Sequence, residues 1–299
     1  MQKAESKNRT ETLPFEKWHG TGNDFVICSE RLVTAFSDDL AALARAMCDR
    51  RLGIGSDGLI LIGKSETAEF RMRMWNPDGS ESEMCANGLR CVGMHLMNHG
   101  LGSVSEPLPI ETAKRIAILS FIQPPDWAEG DKLWVNVDMG IPVTKRSEIP
   151  MSGEGPSPVI EEELRVPGTR KKLKLTAVNF ANPHAVAFVK DVGEVPLRHW
   201  GPEIENHTAL FPERVNIEFV EVIAEDHVKM RVWERGAGET LSCGSGTAAV
   251  QAACVMTGKA GRRLRVDVPG GSLLTECMED DHVFLSGPAV RVFTGEWYG

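Results

Sequence analysis

The chain has 299 residues, a length that suits two domains better than one core. Its formal net charge of −9, with 42% hydrophobic and 25% charged residues, fits a globular protein and leaves no basic stripe for a nucleic acid. No apolar run reaches the roughly 18–20 residues that cross a bilayer, so neither nucleic acid nor membrane is expected as a partner, and a cytoplasmic protein is expected.

Residues 1–12 are polar, lack the apolar core of a signal peptide and read as a flexible tail. β-Branched content or alternation predicts strands at 25–28, 59–63, 70–75, 133–137, 185–189, 217–222, 228–233 and 283–285. Ser37, Asp38 and Asp39 predict a helix start, with Leu40, Leu43, Ala44 and Met47 as its apolar stripe and Gly53 beyond its end. Cys85-Ala-Asn-Gly88 opens a second helical stripe, Leu89, Val92 and Leu96, ending near Gly100. Residues 151–167, rich in Gly, Pro, Ser and Glu, read as a loop or hairpin excursion. Cys243-Gly-Ser-Gly246 opens a third stripe, Ala248, Ala249, Val250 and Ala253, ending near Gly258.

Two of these features form an internal repeat. Cys85 and Cys243 are 158 positions apart. Upstream of them, Thr21-Gly-Asn23 and Phe180-Ala-Asn182 carry asparagines 159 apart. The shared offset predicts two similar α/β halves facing each other, each bringing one cysteine to the cleft.

The seven cysteines, Cys28, Cys48, Cys85, Cys91, Cys243, Cys254 and Cys277, are odd in number and the chain is not small, so no disulfide framework is expected. Most read as small core residues. Cys85 and Cys243 differ because each opens a helix, where unpaired backbone N–H groups and the macrodipole favour a thiolate over a thiol of pKa about 8.5. Two such helix starts could hold one substrate carboxylate from two sides. One thiolate would remove the α-proton while the opposite thiol returns one to the other face. That chemistry needs no cofactor and inverts the stereocentre. Cys91, His95 and His99 fall at i, i+4 and i+8 of a helix, but Cys85 lies off that stripe, and no metal is expected.

An ordered set of motifs then resembles the diaminopimelate epimerase family from Phe15 onward. They are His19-Gly-Thr-Gly-Asn-Asp-Phe25, Gly53-Ile-Gly-Ser-Asp-Gly58, Asn76-Pro-Asp-Gly-Ser80, Met84-Cys-Ala-Asn-Gly-Leu-Arg-Cys91, Asn182-Pro-His184, Arg214-Val-Asn216, and Glu234-Arg-Gly-Ala-Gly-Glu-Thr240 followed by Cys243-Gly-Ser-Gly246. The resemblance implies an α/β fold of the α+β type with two pseudo-symmetric domains, each wrapping strands around a central helix, and an active site in the cleft between them. It implies an N-terminal domain of residues 13–131 with 289–299 and a C-terminal domain of 132–288, the last strand returning to the first domain. The implied activity is interconversion of LL- and meso-2,6-diaminopimelate, toward lysine and peptidoglycan, by a homodimer acting on a small amino-acid substrate.

By the same resemblance Cys85 is the proton donor and Cys243 the acceptor, exchanging with direction, and His184 and Glu234 tune the thiols. Asn23, Asn76, Asn182, Asn216, Glu234 and Arg235 match substrate-binding positions. Backbone groups of Ala86, Asn87, Gly244 and Ser245 match a carboxylate cradle. Ala86 departs from the family's glycine, and Gly58 stands where some members carry a binding glutamine. A fixed cation such as Arg235 suits a distal carboxylate, and neutral amides serve a zwitterion as both donors and acceptors. A racemase of histidine or glutamate on the same scaffold, or a non-catalytic amino-acid-binding protein, are the alternatives.

Overall fold

The computed structural model describes residues 11–82, 84–130 and 133–298. The expected tail, 1–12, lies outside the described residues except for Glu11 and Thr12. The chain divides into two compact units. One runs up to Phe121 and resumes from Ala289; the other is Ile122–Pro288. The boundary falls inside the strand Ile116–Ile122.

The first unit contributes β1 (Leu13–Gly20), β2 (Asn23–Ser29), α1 (Glu30–Phe36), α2 (Leu40–Cys48), β3 (Gly58–Lys64), β4 (Phe70–Trp75), β5 (Glu81–Ser82), α3 (Ala86–Asn98), β6 (Leu108–Glu111) and β7 (Ile116–Ile122). The second contributes β8 (Trp134–Gly140), β9 (Glu162–Arg165), β10 (Lys172–Asn179), β11 (Pro183–Val189), α4 (Leu197–Glu205), β12 (Asn216–Ala224), β13 (His227–Glu234), β14 (Gly238–Thr240), α5 (Gly244–Thr257), β15 (Arg263–Val268), β16 (Gly271–Cys277) and β17 (Val283–Gly287). The last strand, β18 (Val290–Trp297), pairs with β1 of the first unit.

The pairings repeat between the units. In the first, β1–β2 is antiparallel, β2–β3 parallel, β3–β4 antiparallel, β4–β6 parallel and β6–β7 antiparallel. In the second, β10–β11, β11–β12, β12–β13, β13–β15 and β15–β16 follow the same alternation. The registers correspond as well: Phe25 pairs with Gly58, and His184 pairs with Asn216. The stretch 151–167 resolves as a hairpin arm, β9 against β10.

Each parallel junction needs a crossover: α3 and α5 supply it for β4–β6 and β13–β15, while α1 with α2 in the first unit and α4 in the second supply it for β2–β3 and β11–β12. Asp39 caps α2 by accepting from the Ala42 amide at 2.9 Å. Helices α1, α2 and α4 cover one sheet face. Val26, Leu59, Leu61, Val33, Ala44 and Met47 form that core in the first unit, and Ile217, Phe219, Ala185, Ala187, Leu197 and Ile204 in the second.

The other face wraps α3 or α5. Both helices are buried on nearly all sides from their first turn, which is the mark of a central helix. Both stop at a left-handed glycine, Gly100 with φ 69° and Gly258 with φ 65°. A single Cβ there would be strained, so the two glycines fix both helix lengths. Among the described residues no helix is long and apolar enough to cross a membrane.

Candidate active site

The two cysteines occupy the same position in their units. Cys85 is the N-cap of α3 with φ −140° and ψ 114°; Cys243 is the N-cap of α5 with φ −118° and ψ 114°. In each, the sulfur accepts a backbone N–H three residues on, from Gly88 or Gly246, at 3.4 Å. A thiol thus does what Ser or Asp does in an ordinary cap, and the helix amide is aimed at the atom that would carry thiolate charge. None of the seven cysteines is in a disulfide.

Around Cys85 the first unit gathers Asn23, Ala86 and Asn87. The Asn23 carbonyl oxygen accepts from the Cys85 thiol at 3.7 Å and from Asn87 Nδ2 at 3.1 Å. Asn23 follows a tight turn in which Thr21 and Gly22 both have positive φ, the geometry that closes a two-residue hairpin. Its own amide donates to Asp57 at 2.7 Å, and Asp57 is paired with Arg50 at 2.7 Å. Asn76 lies in the turn after β4, where its amide donates to Ser80 at 3.0 Å. Below Cys85, Arg90 is wholly buried and donates to Thr21 at 3.1 Å; burial lowers it to about 10 while the thiols of Cys91 and Cys85 act to hold its proton.

Around Cys243 the second unit gathers most of the remaining residues. Ser245 Oγ lies 3.6 Å from the sulfur, and Gly244 is buried in the first turn of α5. Glu234 accepts from the Thr240 hydroxyl and interacts with the Cys243 thiol. Asn216 is fixed on both sides, donating to Pro183 O at 2.8 Å and accepting from the Arg235 amide at 2.9 Å. The Arg235 guanidinium donates to Glu213 O at 2.8 Å. His184 lies between Glu218, 2.7 Å from Nδ1, and Asn182, 2.9 Å from Nε2.

The expectation that a helix start favours the thiolate fails at Cys243. Burial, then Glu234 and Glu218, push its thiol well above the usual range, against the smaller pull of Ser245 and the Gly246 amide. The reason is desolvation: Cys243 is 4% exposed, and a helix end does not replace the lost water when two carboxylates stand nearby. Burial also raises Glu234, with Thr240 and Cys243 opposing.

The motifs contain Asp57, Arg90 and Thr240 without giving them a role, and Glu218 lies outside all of them. Glu218 had a signal in Asn216-Ile-Glu218, two polar residues on one strand face, but such a face reads as solvated until a helix is known to cover it.

The described residues hold one group with metal-ligand spacing: the ligand atoms of Glu16, His95 and His99 lie within 4.8 Å of one another. Trp18 donates to the same carboxylate at 2.7 Å and Arg291 lies 3.5 Å away. Burial opposes the Glu16 charge, but His99, Trp18 and His95 overcome it and hold the carboxyl at about 2. These contacts make the cluster a hydrogen-bonded knot tying α3 to β1, in which burial lowers His95 against the pull of Glu16. Cys91, wholly buried, takes no part in it.

The sequence model of the family described as diaminopimelate epimerase matches residues 15–143 and 176–292. A diaminopimelate epimerase of Desulforudis audaxviator is 46% identical over 286 residues, covering 95% of this chain and 99% of that one. One from Methanococcus maripaludis is 43% identical over 290 residues, with 95% and 99% covered. Among solved structures, a hydroxyproline epimerase from Agrobacterium vitis with bound trans-4-hydroxy-L-proline aligns with a TM-score of 0.66 at 14% identity, covering 96% of this chain and 91% of that one. A PhzF-family phenazine biosynthesis protein from Bacillus anthracis aligns with a TM-score of 0.66 at 16% identity, with 96% and 99% covered. These two likenesses bear on the fold.

Proposed function

We infer, because the chain belongs to the diaminopimelate epimerase family and is therefore an isomerase, that it interconverts LL- and meso-2,6-diaminopimelate by moving the α-proton between Cys85 and Cys243. The observation that carries the two-thiol mechanism is the matched capping geometry, each sulfur at the head of its unit's central helix with a glycine amide 3.4 Å away.

In one direction the Cys243 thiolate takes the α-proton and the Cys85 thiol delivers a proton to the opposite face. The cycle leaves Cys243 as thiol and Cys85 as thiolate, and the reverse reaction exchanges the roles. No cofactor is needed, because both proton transfers are made by side chains. Negative charge grows on the substrate carboxylate as the proton leaves, and the backbone amides of Ala86, Asn87, Gly244 and Ser245 stabilise it. Since burial and two carboxylates hold the Cys243 proton, the thiolate forms as substrate arrives, and Glu234 is the group placed to take that proton. His184 completes the tuning of the thiols. Asn23, Asn76, Asn182 and Asn216 supply donors and acceptors, the carbonyl oxygen of Glu234 accepts from an ammonium, and Arg235 meets the distal carboxylate.

The same proposal puts the protein in the cytoplasm, on the route to lysine and peptidoglycan, as a homodimer. Val292 and Phe293 of β18, 55% and 46% exposed, support a partner surface on the first unit.

A substrate panel tests the assignment. Diaminopimelate should be turned over with kcat/KM at least about a hundredfold above histidine, glutamate or proline, because buried polar groups left unpaired by a shorter substrate cost that much. Preference for histidine or glutamate would make the protein a racemase of that amino acid. Diaminopimelate binding with no α-proton exchange would make it a binding protein.

A further inference from the structure

The internal repeat supplies its own control. By register, Phe25 and Ile60 of the first unit correspond to His184 and Glu218 of the second. In the first unit both positions are apolar and wholly buried. In the second they are an ion pair whose side chains are both 0% exposed, 2.7 Å apart. The same strands and the same helix start are therefore built with hydrocarbon at these two places, so the fold does not require charge there. A buried pair is seldom a stabiliser, and apolar replacements of like volume are often neutral or better.

We propose that Glu218 is a positioning residue for substrate binding: it fixes the His184 ring through Nδ1, so that Nε2 donates to Asn182 Oδ1 and leaves the Asn182 amino group as the donor available to the substrate. This rests on the proposed function, in which Asn182 contacts the amino acid.

Three observations carry it. First, Glu218 Oε1 meets His184 Nδ1 at 2.7 Å with both side chains wholly buried, and among the described residues Glu218 Oε2 has no hydrogen-bond partner, so the ring is what this side chain holds. Second, His184 Nε2 lies 2.9 Å from Asn182 Oδ1, an acceptor. A ring accepting at Nε2 instead would make the Asn182 amide turn its amino group inward. Third, α5 is brought close onto Glu218. A Cβ at Gly246 would lie 2.6 Å from Glu218 Oε1, so the positive end of the helix sits against the carboxylate. At the corresponding Gly88, a Cβ would meet Ile60 Cδ1 at 3.0 Å, a methyl in place of the charge.

The test is nitrogen-15 NMR of the His184 ring, with kinetics of Glu218→Gln. In the wild-type protein His184 Nε2 should carry a proton. In Glu218→Gln the ring should lose that fixed tautomer, and KM for LL-diaminopimelate should rise about tenfold with a smaller change in kcat, a split that mere loss of packing would not give. An unprotonated His184 Nε2 in the wild type, or wild-type KM in Glu218→Gln, overturns the proposal. If the variant does not fold, the wild-type spectrum decides alone. If the wild type exchanges no α-proton of any amino acid, the proposed function fails, and the ring spectrum still reports separately on His184.

Discussion

At Cys243 two effects of opposite sign compete, and burial prevails. The helix start supplies one aimed amide at 3.4 Å, but desolvation and the carboxylates of Glu234 and Glu218 oppose the thiolate. The raised thiol stays protonated through neutral pH and ionises only as pH climbs past the ordinary thiol range. Cys85, half-buried, is the accessible one of the two. Iodoacetamide at neutral pH should therefore modify Cys85 first, and Cys243 labelling should accelerate only under alkaline conditions, read by peptide mapping. Faster labelling of Cys243 at neutral pH would contradict this order. The candidate residues themselves were legible from motifs. The electrostatic outcome was not, because desolvation depends on what β12 and β13 place around the sulfur, and spacing along the chain does not report it.

At the scale of elements, the stripes after Cys85 and Cys243 were readable as helices because cap, apolar spacing and terminal glycine agree. Their central position came from the family resemblance and not from the stripes, since a helix buried on all sides loses its polar residues only in part: Asn87, Arg90 and Gln251 are buried yet polar. Strands β3, β11 and β12 were found from continuous β-branched runs, as expected for strands covered on both faces. β1, β6 and β18 were missed because Pro14, Pro109 or Gly295 breaks their pattern, whereas β15, Arg263-Leu-Arg-Val-Asp-Val268, alternates strictly and was legible though not read. The two helix starts also differ in what they tolerate. Gly246→Ala drives a methyl into the fixed Glu218 carboxylate and should cost about 1–3 kcal/mol with loss of turnover. Gly88→Ala meets only the movable ends of Ile60 and Met72 at 3.0 Å and should change stability by less than about 1 kcal/mol. Urea melts of both variants check this, and equal destabilisation would contradict it.

For the whole molecule, the offset of 158–159 residues was the informative signal. It anticipated the repeated strand order because asparagine turns and helix caps recur only where the backbone path recurs. It could not anticipate that one unit sets Ile60 of β3 against its helix start and the other Glu218 of β12, a difference in chemistry on one path. Two similar units with one thiol each are the economical structure for a reaction symmetrical in its proton transfers. The most direct measurement of that idea is epimerisation in deuterium oxide. The wild-type protein should place deuterium at the α-carbon of inverted diaminopimelate, and Cys85→Ser and Cys243→Ser should each reduce epimerisation by about a thousandfold. Wild-type epimerisation by either single variant would contradict the two-thiol mechanism.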